Sequence, residues 1–257
     1  MSLNRVYVIP HGDEILDLPN EESRKMHDAI EKVTAGDDSG TVVIISPHGL
    51  KLGNHVSVLN TEFFSGYYRL KTMSIRKRYL NNRLLASAIV KSNDLAEEAS
   101  FVTSSGPLSR FPLDFGTLIP LHFFRQNKIV SMGQPRIREL EKLTEFGKNL
   151  ARVCMNHEEK ISIIISADQA HCHSPEGPYG FAGESAAYEK IIEECTVKSD
   201  FSMLYSIKED FVNKAKPDSY WNMLIFDGIL KETGMRSKMD FHYVQDYFGM
   251  MLAHLVP

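Results

Sequence analysis

The chain has 257 residues, of which 43% are hydrophobic and 24% are charged, values typical of a soluble globular protein. Its 29 basic and 33 acidic residues give a net charge of -4, so composition predicts no general attraction to nucleic acid. No signal peptide and no membrane-spanning apolar run is recognisable, and three unpaired cysteines fit a reducing compartment. We therefore expect a cytoplasmic protein without membrane partners.

Two short apolar runs each end in the same three residues. Residues 5–9 lead into Pro10-His11-Gly12, and residues 41–46 lead into Pro47-His48-Gly49. Both runs are rich in β-branched residues, which predicts buried strands. Proline cannot continue a central ladder, and glycine permits a sharp turn. His11 and His48 should therefore lie just beyond two strand ends, at the edge where open α/β sheets bind ligands.

The other elements follow from periodicity and capping residues. Asn20 should cap a helix over 21–34, which makes the first two strands a βαβ unit with parallel strands. The basic stretch 69–83 is predicted to be solvated surface with an apolar packing face. The further predictions are a strand at 56–59, a helix at 80–91, a strand within 118–124, a helix at 139–157, a strand at 161–166, helices at 184–195, 203–215 and 220–230, and one or two strands within 242–256, interrupted near positions 246 and 249.

No linker or change of composition divides the chain. We therefore predict one α/β domain over residues 1–257, with a central, largely parallel or mixed sheet flanked by helices.

The third predicted strand ends in a segment dense in groups that bind metals or transfer protons. Asp168, His171 and His173 lie within six residues, before a loop with two prolines and two glycines. A third strand thus brings further imidazoles to the edge that carries His11 and His48. Two imidazoles and one carboxylate with open positions suit non-haem Fe(II), and they also suit Zn²⁺.

Spacing alone leaves the carboxylate open. Asp13 and Glu14 are near His11 in sequence, and Asp168 could instead orient a ring N–H of His171 or His173. Asp218 stands at the predicted start of a helix, where an aspartate can equally serve as an N-cap.

Taken in order, five segments resemble the class III extradiol ring-cleavage dioxygenases, in their catalytic-subunit (LigB-type) form. The resemblance is closest to a microbial branch with a similar proline- and glycine-rich loop. The segments are Pro10-His11-Gly12, Ser46-Pro47-His48-Gly49, residues 113–121 (LDFGTLIPL), residues 166–180 (SADQAHCHSPEGPYG) and residues 247–251 (YFGMM).

The resemblance implies a metal site and a reaction. His11 and His48 match the imidazole ligands of a metal that is usually Fe(II), and His171 matches the acid/base histidine. Asp218 stands where the family typically has a ligand glutamate, and Phe115 stands where many relatives have histidine. The implied activity is ring cleavage of an aromatic vicinal diol, with a small aromatic substrate and dioxygen as partners.

Several alternatives remain open at the level of sequence. Some branches of this superfamily, such as the Memo proteins, keep the fold as binding proteins with a degraded metal site, and zinc-dependent enzymes can use the same ligands. His122, His173 and Phe115 are candidates for lining the pocket, and Asp168 is a candidate catalytic residue beside His171. A homo-oligomer is also compatible with the apolar tail.

Overall fold

The computed structural model describes residues 2–100 and 110–257. The helices of this part are α1 (Glu14–Asp17), α2 (Glu21–Thr34), α3 (Arg83–Lys91), α4 (Phe115–Leu121), α5 (Leu140–Met155), α6 (Gly183–Lys198), α7 (Glu209–Ala215) and α8 (Tyr220–Thr233), with a 3₁₀ turn at Ser202–Ser206. The strands are β1 (Leu3–Ile9), β2 (Thr41–Ser46), β3 (Val56–Leu59), β4 (Phe63–Arg69), β5 (Ser74–Asn81), β6 (Ala96–Ala99), β7 (Arg110–Pro112), β8 (Lys128–Gly133), β9 (Ile161–Ser166), β10 (Arg236–Gln245) and β11 (Phe248–Val256).

One mixed sheet runs through the molecule in the order β10-β11-β1-β9-β2-β8-β5-β4-β7; β3 joins it by pairing with β8, and β6 pairs with β3. The four central strands β1, β9, β2 and β8 are mutually parallel. The tail forms the antiparallel hairpin β10–β11, which adds to β1. The predicted α/β fold with a mixed sheet is therefore confirmed.

The central strands are buried on both faces, as expected for a parallel sheet covered by helices. Alternate residues of each strand enter two separate cores. Val43 and Ile45 pack with α5 and α8 on one face, and Val42 and Ile44 pack with α2 and α4 on the other. Helices on both faces therefore hold the central strands in position.

The order of the central strands differs from a simple βαβ unit. The predicted strands β1 and β2 are parallel, but β9 lies between them and pairs with both. Ile9 is level with Ser166, and Ile45 is level with Ile165. The three strands therefore end side by side.

The chain turns at both Pro-His-Gly segments as predicted: the Gly49 N–H donates to the carbonyl of Ser46, and the Ile15 N–H donates to the carbonyl of Gly12. The two glycines also serve a second purpose. Neither has a positive φ. A Cβ on Gly12 would lie 2.8 Å from the ring of Phe248, and a Cβ on Gly49 would lie 2.9 Å from Cα of Gly133. These positions lack side chains because neighbouring groups approach closely.

Most predicted helices and strands are present. The helix over Glu21–Thr34 begins with a capping box between Asn20 and Ser23, and the long amphipathic helix appears as α5. The tail forms two strands that turn at residues 246–247, but Gly249 lies within β11 and does not interrupt it.

Three predictions of secondary structure were wrong in whole or part. The apolar residues after Asp114 form the helix α4, because the Asp114 carboxylate accepts the Thr117 N–H and caps a helix there. The helix predicted from Leu80 begins only at Arg83, because Leu80 pairs with Phe63 in the β4–β5 hairpin. The helix predicted over 203–215 is divided into the 3₁₀ turn and α7.

Within the described ranges, no helix combines the length and the apolar character that crossing a bilayer requires.

Candidate metal centre

The two Pro-His-Gly histidines meet one carboxylate at the rim formed by the central strands. Nε2 of His11 lies 3.1 Å from Nε2 of His48, and each Nε2 lies 3.2 Å from Oδ2 of Asp218. Donor atoms at these separations fit around one ion with ligand bonds of about 2.0–2.2 Å. Among the described residues, these three form the one cluster of potential ligands with such geometry.

The ring of His11 is fixed from behind by the end of β9. Oγ of Ser166 donates to the carbonyl of Gly116 at 2.6 Å, so it can only accept from Nδ1 of His11, 2.9 Å away. Nδ1 of His11 therefore carries a proton, which leaves Nε2, directed at the other two ligands, as the atom that can bind a metal. This is the outer contact by which proteins orient a metal-binding imidazole.

His48 is held from its backbone and by aromatic packing. Its N–H donates to Oγ of Ser46, which in turn donates to the carboxylate of Asp114 at 2.6 Å. The ring of Phe115 lies 4.2 Å from the ring of His48, centroid to centroid, and stacks on Tyr68 at 5.7 Å. Phe115 thus supports the face of one ligand.

Asp218 is delivered by the segment between α7 and α8. Ser219, and not Asp218, occupies the N-cap position of α8, and the Asp218 side chain caps no helix. Its Oδ2 faces both histidines, its Oδ1 accepts from Oγ of Ser219, and its carbonyl accepts from the amide of Gln134. The N-cap interpretation of Asp218 is therefore wrong.

Electrostatics hold the three groups together. Burial lowers the pKa of His11, but the carboxylates of Asp168 and Asp218 outweigh it and raise that pKa to about 9. Burial would raise the pKa of Asp218, yet the charge and hydrogen bond of His11, together with His48, hold it well below its usual range.

Asp168 occupies the position on β9 that His11 and His48 occupy on β1 and β2, two residues beyond the strand. Its Oδ1 accepts the backbone N–H of His11 at 2.9 Å, and its Oδ2 lies 3.4 Å from Nε2 of His11. The expectation that it orients His171 or His173 was wrong. Nδ1 of His171 donates to the carbonyl of Gln169 at 2.7 Å instead.

The ring of His173 contacts Glu189 rather than a member of the triad. Its Nε2 lies 3.3 Å from Oε1 of Glu189, whose Oε2 lies 2.7 Å from Nε2 of His242. The same carboxylate accepts the N–H of Ala170, so Glu189 ties the loop that carries His171 to α6 and β10.

Comparison with known proteins now assigns the family. Residues 5–249 match the family described as the catalytic LigB subunit of aromatic ring-opening dioxygenase. The chain belongs to the LigB family.

The chain is also similar to two further proteins. Protein CA_C1420 of Clostridium acetobutylicum is 23% identical over 266 residues, which cover 97% of this chain and 56% of that protein. The crystal structure of uncharacterized protein JW3007 from Escherichia coli K12 superposes with a TM-score of 0.66 at 13% identity, over 98% of this chain and 99% of that one. At this identity the second similarity shows the fold alone, and the chain spans little more than half the length of the first relative.

Two cavities of about 280 Å³ each adjoin the triad of this LigB-family chain, and both are lined by His48, His171 and Tyr179. The first also contains His11, Phe115 and Asp168, and the second contains Asp218. Of the predicted pocket residues, Phe115 therefore lines the site. His122 lies in a separate cavity beside Phe123 and Gln126, and His173 lines neither cavity.

Several residues of the site escaped the sequence analysis. Ser166 ends a strand in the same way as Ser46, and that parallel is a signal for its role. Arg136, Lys216 and Trp221 line the second cavity. Lys216 stands two residues before Asp218, but no local pattern marks Arg136 or Trp221.

Proposed function

We propose that this chain is a metal-dependent dioxygenase that opens the ring of an aromatic vicinal diol. One observation carries the proposal: His11, His48 and Asp218, which are distant in sequence, converge with their donor atoms 3.1–3.2 Å apart. Two imidazoles and one carboxylate with open positions are the ligand set of non-haem Fe(II) oxygenases. Membership of the LigB family supports the same reaction class.

The residues present fit such an ion. Both imidazoles offer Nε2, and in His11 this tautomer is fixed by Ser166. A bound Fe(II) would supply a Lewis acid for the diol oxygens and electrons for dioxygen. Zn²⁺ fits the same donors, so the choice of metal is part of the proposal.

His171 is the proposed acid/base. Because its Nδ1 donates to the carbonyl of Gln169, its Nε2 carries the lone pair and can accept a proton from a diol hydroxyl. The ring lines both cavities beside the triad and stacks on Phe248 at 5.5 Å, which limits its rotation. Asp168, buried against His11, is proposed to position that ligand rather than to transfer protons itself.

The test is metal loading followed by oxygen uptake. Untagged protein is loaded anaerobically with Fe(II) or Zn²⁺, its bound metal is quantified, and oxygen consumption is measured with a panel of catechols. We expect the Fe(II) protein to consume oxygen. His48→Ala should lose both metal binding and oxygen uptake, whereas His171→Gln should lose oxygen uptake but still bind the metal.

Three outcomes would contradict the proposal. Full activity in His48→Ala, or failure to bind either metal, would exclude this site as the catalytic centre. Stoichiometric metal without oxygen uptake for any diol would favour a binding protein of the same fold.

A further inference from the structure

One peptide group lies between a buried carboxylate and the ring of His171. The N–H of Ala170 donates to Oε1 of Glu189 at 2.9 Å. The carbonyl of Gln169 accepts from Nδ1 of His171 at 2.7 Å. This N–H and this carbonyl belong to the same planar peptide bond, so they point in opposite directions from one rigid unit. A group that fixes the N–H therefore also fixes the acceptor of the imidazole.

The carboxylate of Glu189 is itself held at both oxygen atoms. Nε2 of His173 lies 3.3 Å from its Oε1, and Nε2 of His242 lies 2.7 Å from its Oε2. Glu189 is only 5% exposed. Burial would raise the pKa of Glu189, but the hydrogen bonds from the two histidines hold that pKa below its usual value. A negative charge is therefore kept at a fixed place beside the peptide group.

Gly249 leaves room for this carboxylate. A Cβ on Gly249 would lie 2.2 Å from Oε1 of Glu189, so a side chain here would displace the carboxylate. The same glycine fixes the peptide groups on either side of the central one. Its carbonyl accepts the N–H of Gln169 at 2.8 Å, and its N–H donates to the carbonyl of Ala170 at 2.9 Å. The glycine of the YFGMM segment, which supplies none of the three triad ligands, thus helps to hold the backbone before His171.

The charge of the carboxylate matters as well as its position. A hydrogen bond from a peptide N–H to a carboxylate is stronger than one to a neutral acceptor, and it polarises the peptide so that the carbonyl at the other end accepts more strongly. In a neutral imidazole, the hydrogen bond at one ring nitrogen decides which nitrogen carries the proton. A stronger acceptor at Nδ1 therefore leaves Nε2 of His171 free to accept a proton.

We propose that Glu189 is a positioning residue for His171, acting through the peptide group between them to fix both the orientation and the tautomer of the ring. Only the use of that ring as an acid/base rests on the proposed function. Glu189 is not among the described residues that line the two cavities beside the triad, so its effect is exerted through His171 and not on the substrate.

The first measurement needs neither metal nor substrate. In isotope-labelled protein, the nitrogen NMR signals of the His171 ring, assigned with His171→Gln, report the tautomer, and amide exchange reports how firmly the N–H of Ala170 is held. We expect the original chain to show the Nδ1–H form and a protected amide. Glu189→Ala should shift the ring toward the Nε2–H form and should speed exchange at Ala170 about tenfold or more relative to the amides of β9.

Two conservative variants separate the hydrogen bond from the charge. In Glu189→Gln the oxygen should still face Ala170, because a backbone N–H can only donate, whereas His242 can change tautomer and accept from the new amide. Glu189→Gln should therefore fall between the original chain and Glu189→Ala in both signals. Glu189→Asp keeps the charge but withdraws it by one methylene group. It should change both signals in the same direction as Glu189→Ala, and it takes the place of that variant if Glu189→Ala does not fold.

The second measurement is turnover by the Fe(II) protein of a diol that the original chain consumes. Glu189→Ala should lower kcat about tenfold to 100-fold, since misplacement of a catalytic group by about 1 Å can have an effect of this size, whereas KM and Zn²⁺ affinity should stay within about twofold. Asp227→Ala is the matched control, because Asp227 is also a buried acid and accepts from Tyr205 and Lys231. This control should lose stability in urea but keep kcat and the His171 signals.

The inference is overturned if Glu189→Ala, or Glu189→Asp in its place, leaves the ring signals of His171 or kcat unchanged, or if Asp227→Ala lowers kcat as much. The two proposals fail in different ways. A His171 tautomer that depends on Glu189, without oxygen uptake in the original Fe(II) protein, contradicts the dioxygenase but supports the positioning role. Oxygen uptake that is unchanged in Glu189→Ala supports the dioxygenase and contradicts the positioning role.

Discussion

Replacing Ser166 by alanine tests whether the imidazole of His11 is oriented for a metal. The side chain is fully buried and carries two contacts: it accepts from Nδ1 of His11 at 2.9 Å and donates to the carbonyl of Gly116 at 2.6 Å. Alanine removes both contacts with little loss of volume. The ring of His11 then loses the hydrogen bond that holds the proton on Nδ1 and directs Nε2 at the other two ligands.

The size of the effect follows from this outer contact. Loss of such a partner typically weakens metal affinity about 10- to 100-fold, which corresponds to roughly 1.4–2.8 kcal/mol. The carbonyl of Gly116 also loses a partner, so the free energy of unfolding should fall by about 1–3 kcal/mol.

Ser162 provides a matched control on the same strand. It is equally buried, and its Oγ donates to Oδ2 of Asp37 at 2.7 Å, far from the triad. Zn²⁺ affinity is measured by competition with a chromophoric chelator, and stability by urea unfolding of the metal-free protein. Both variants should lose stability, but only Ser166→Ala should lose metal affinity. Zn²⁺ affinity within about twofold of the original chain would refute this account of how His11 is oriented.

Three further predictions concern a ligand, a helix contact and a buried acid. Asp218→Asn should lower Zn²⁺ affinity more than 100-fold, roughly the upper bound for loss of an outer contact, because it removes the negative charge between two imidazoles. Competition with a chelator measures the affinity, and a smaller loss contradicts the prediction. Gly228→Ala places Cβ 2.0 Å from the carbonyl oxygen of Thr144, where α5 packs against α8. This substitution should lower the free energy of unfolding in urea by about 1–3 kcal/mol or more, whereas Gly183→Ala, whose Cβ would face open space, should leave that free energy unchanged. Burial opposes ionisation of Glu189, but hydrogen bonds from His173 and His242 hold its pKa below the usual 4.5, so its stabilising contribution is present above pH 4.5 and is lost as pH falls below that value. Glu189→Gln should therefore flatten the acid side of the stability profile, and an unchanged acid slope would count against this role.

Local chemistry allowed much of the fold to be predicted. The Pro-His-Gly segments end β1 and β2 because proline removes a ladder donor, and Asn20 starts α2 because its side chain accepts the N–H of Ser23. The apolar residues 118–121 were assigned to a strand because a short apolar run has no period that separates a buried strand from a buried helix.

The candidate site was predictable only in part. The ordered motifs of the LigB family indicated His11, His48, His171 and Asp218, but the choice of carboxylate could not be made from spacing. Asp168 stands at the end of β9 beside both histidines, and its sequence position suggests a ligand or a partner of His171. The structure turns it instead toward the backbone and ring of His11.

The sequence by itself determined which residues end β1 and β2 and which residue begins α2, since proline, glycine and capping side chains act within a few residues of their own position. Only the tertiary structure decided which of these residues meet. His11 and Asp218 are 207 residues apart, and their contact depends on the insertion of β9 between β1 and β2 and on the packing of α8 against β9 and α5. The same long-range packing brings Arg136 and Lys216 to one cavity. Such contacts depend on how whole layers pack, and no local period encodes them.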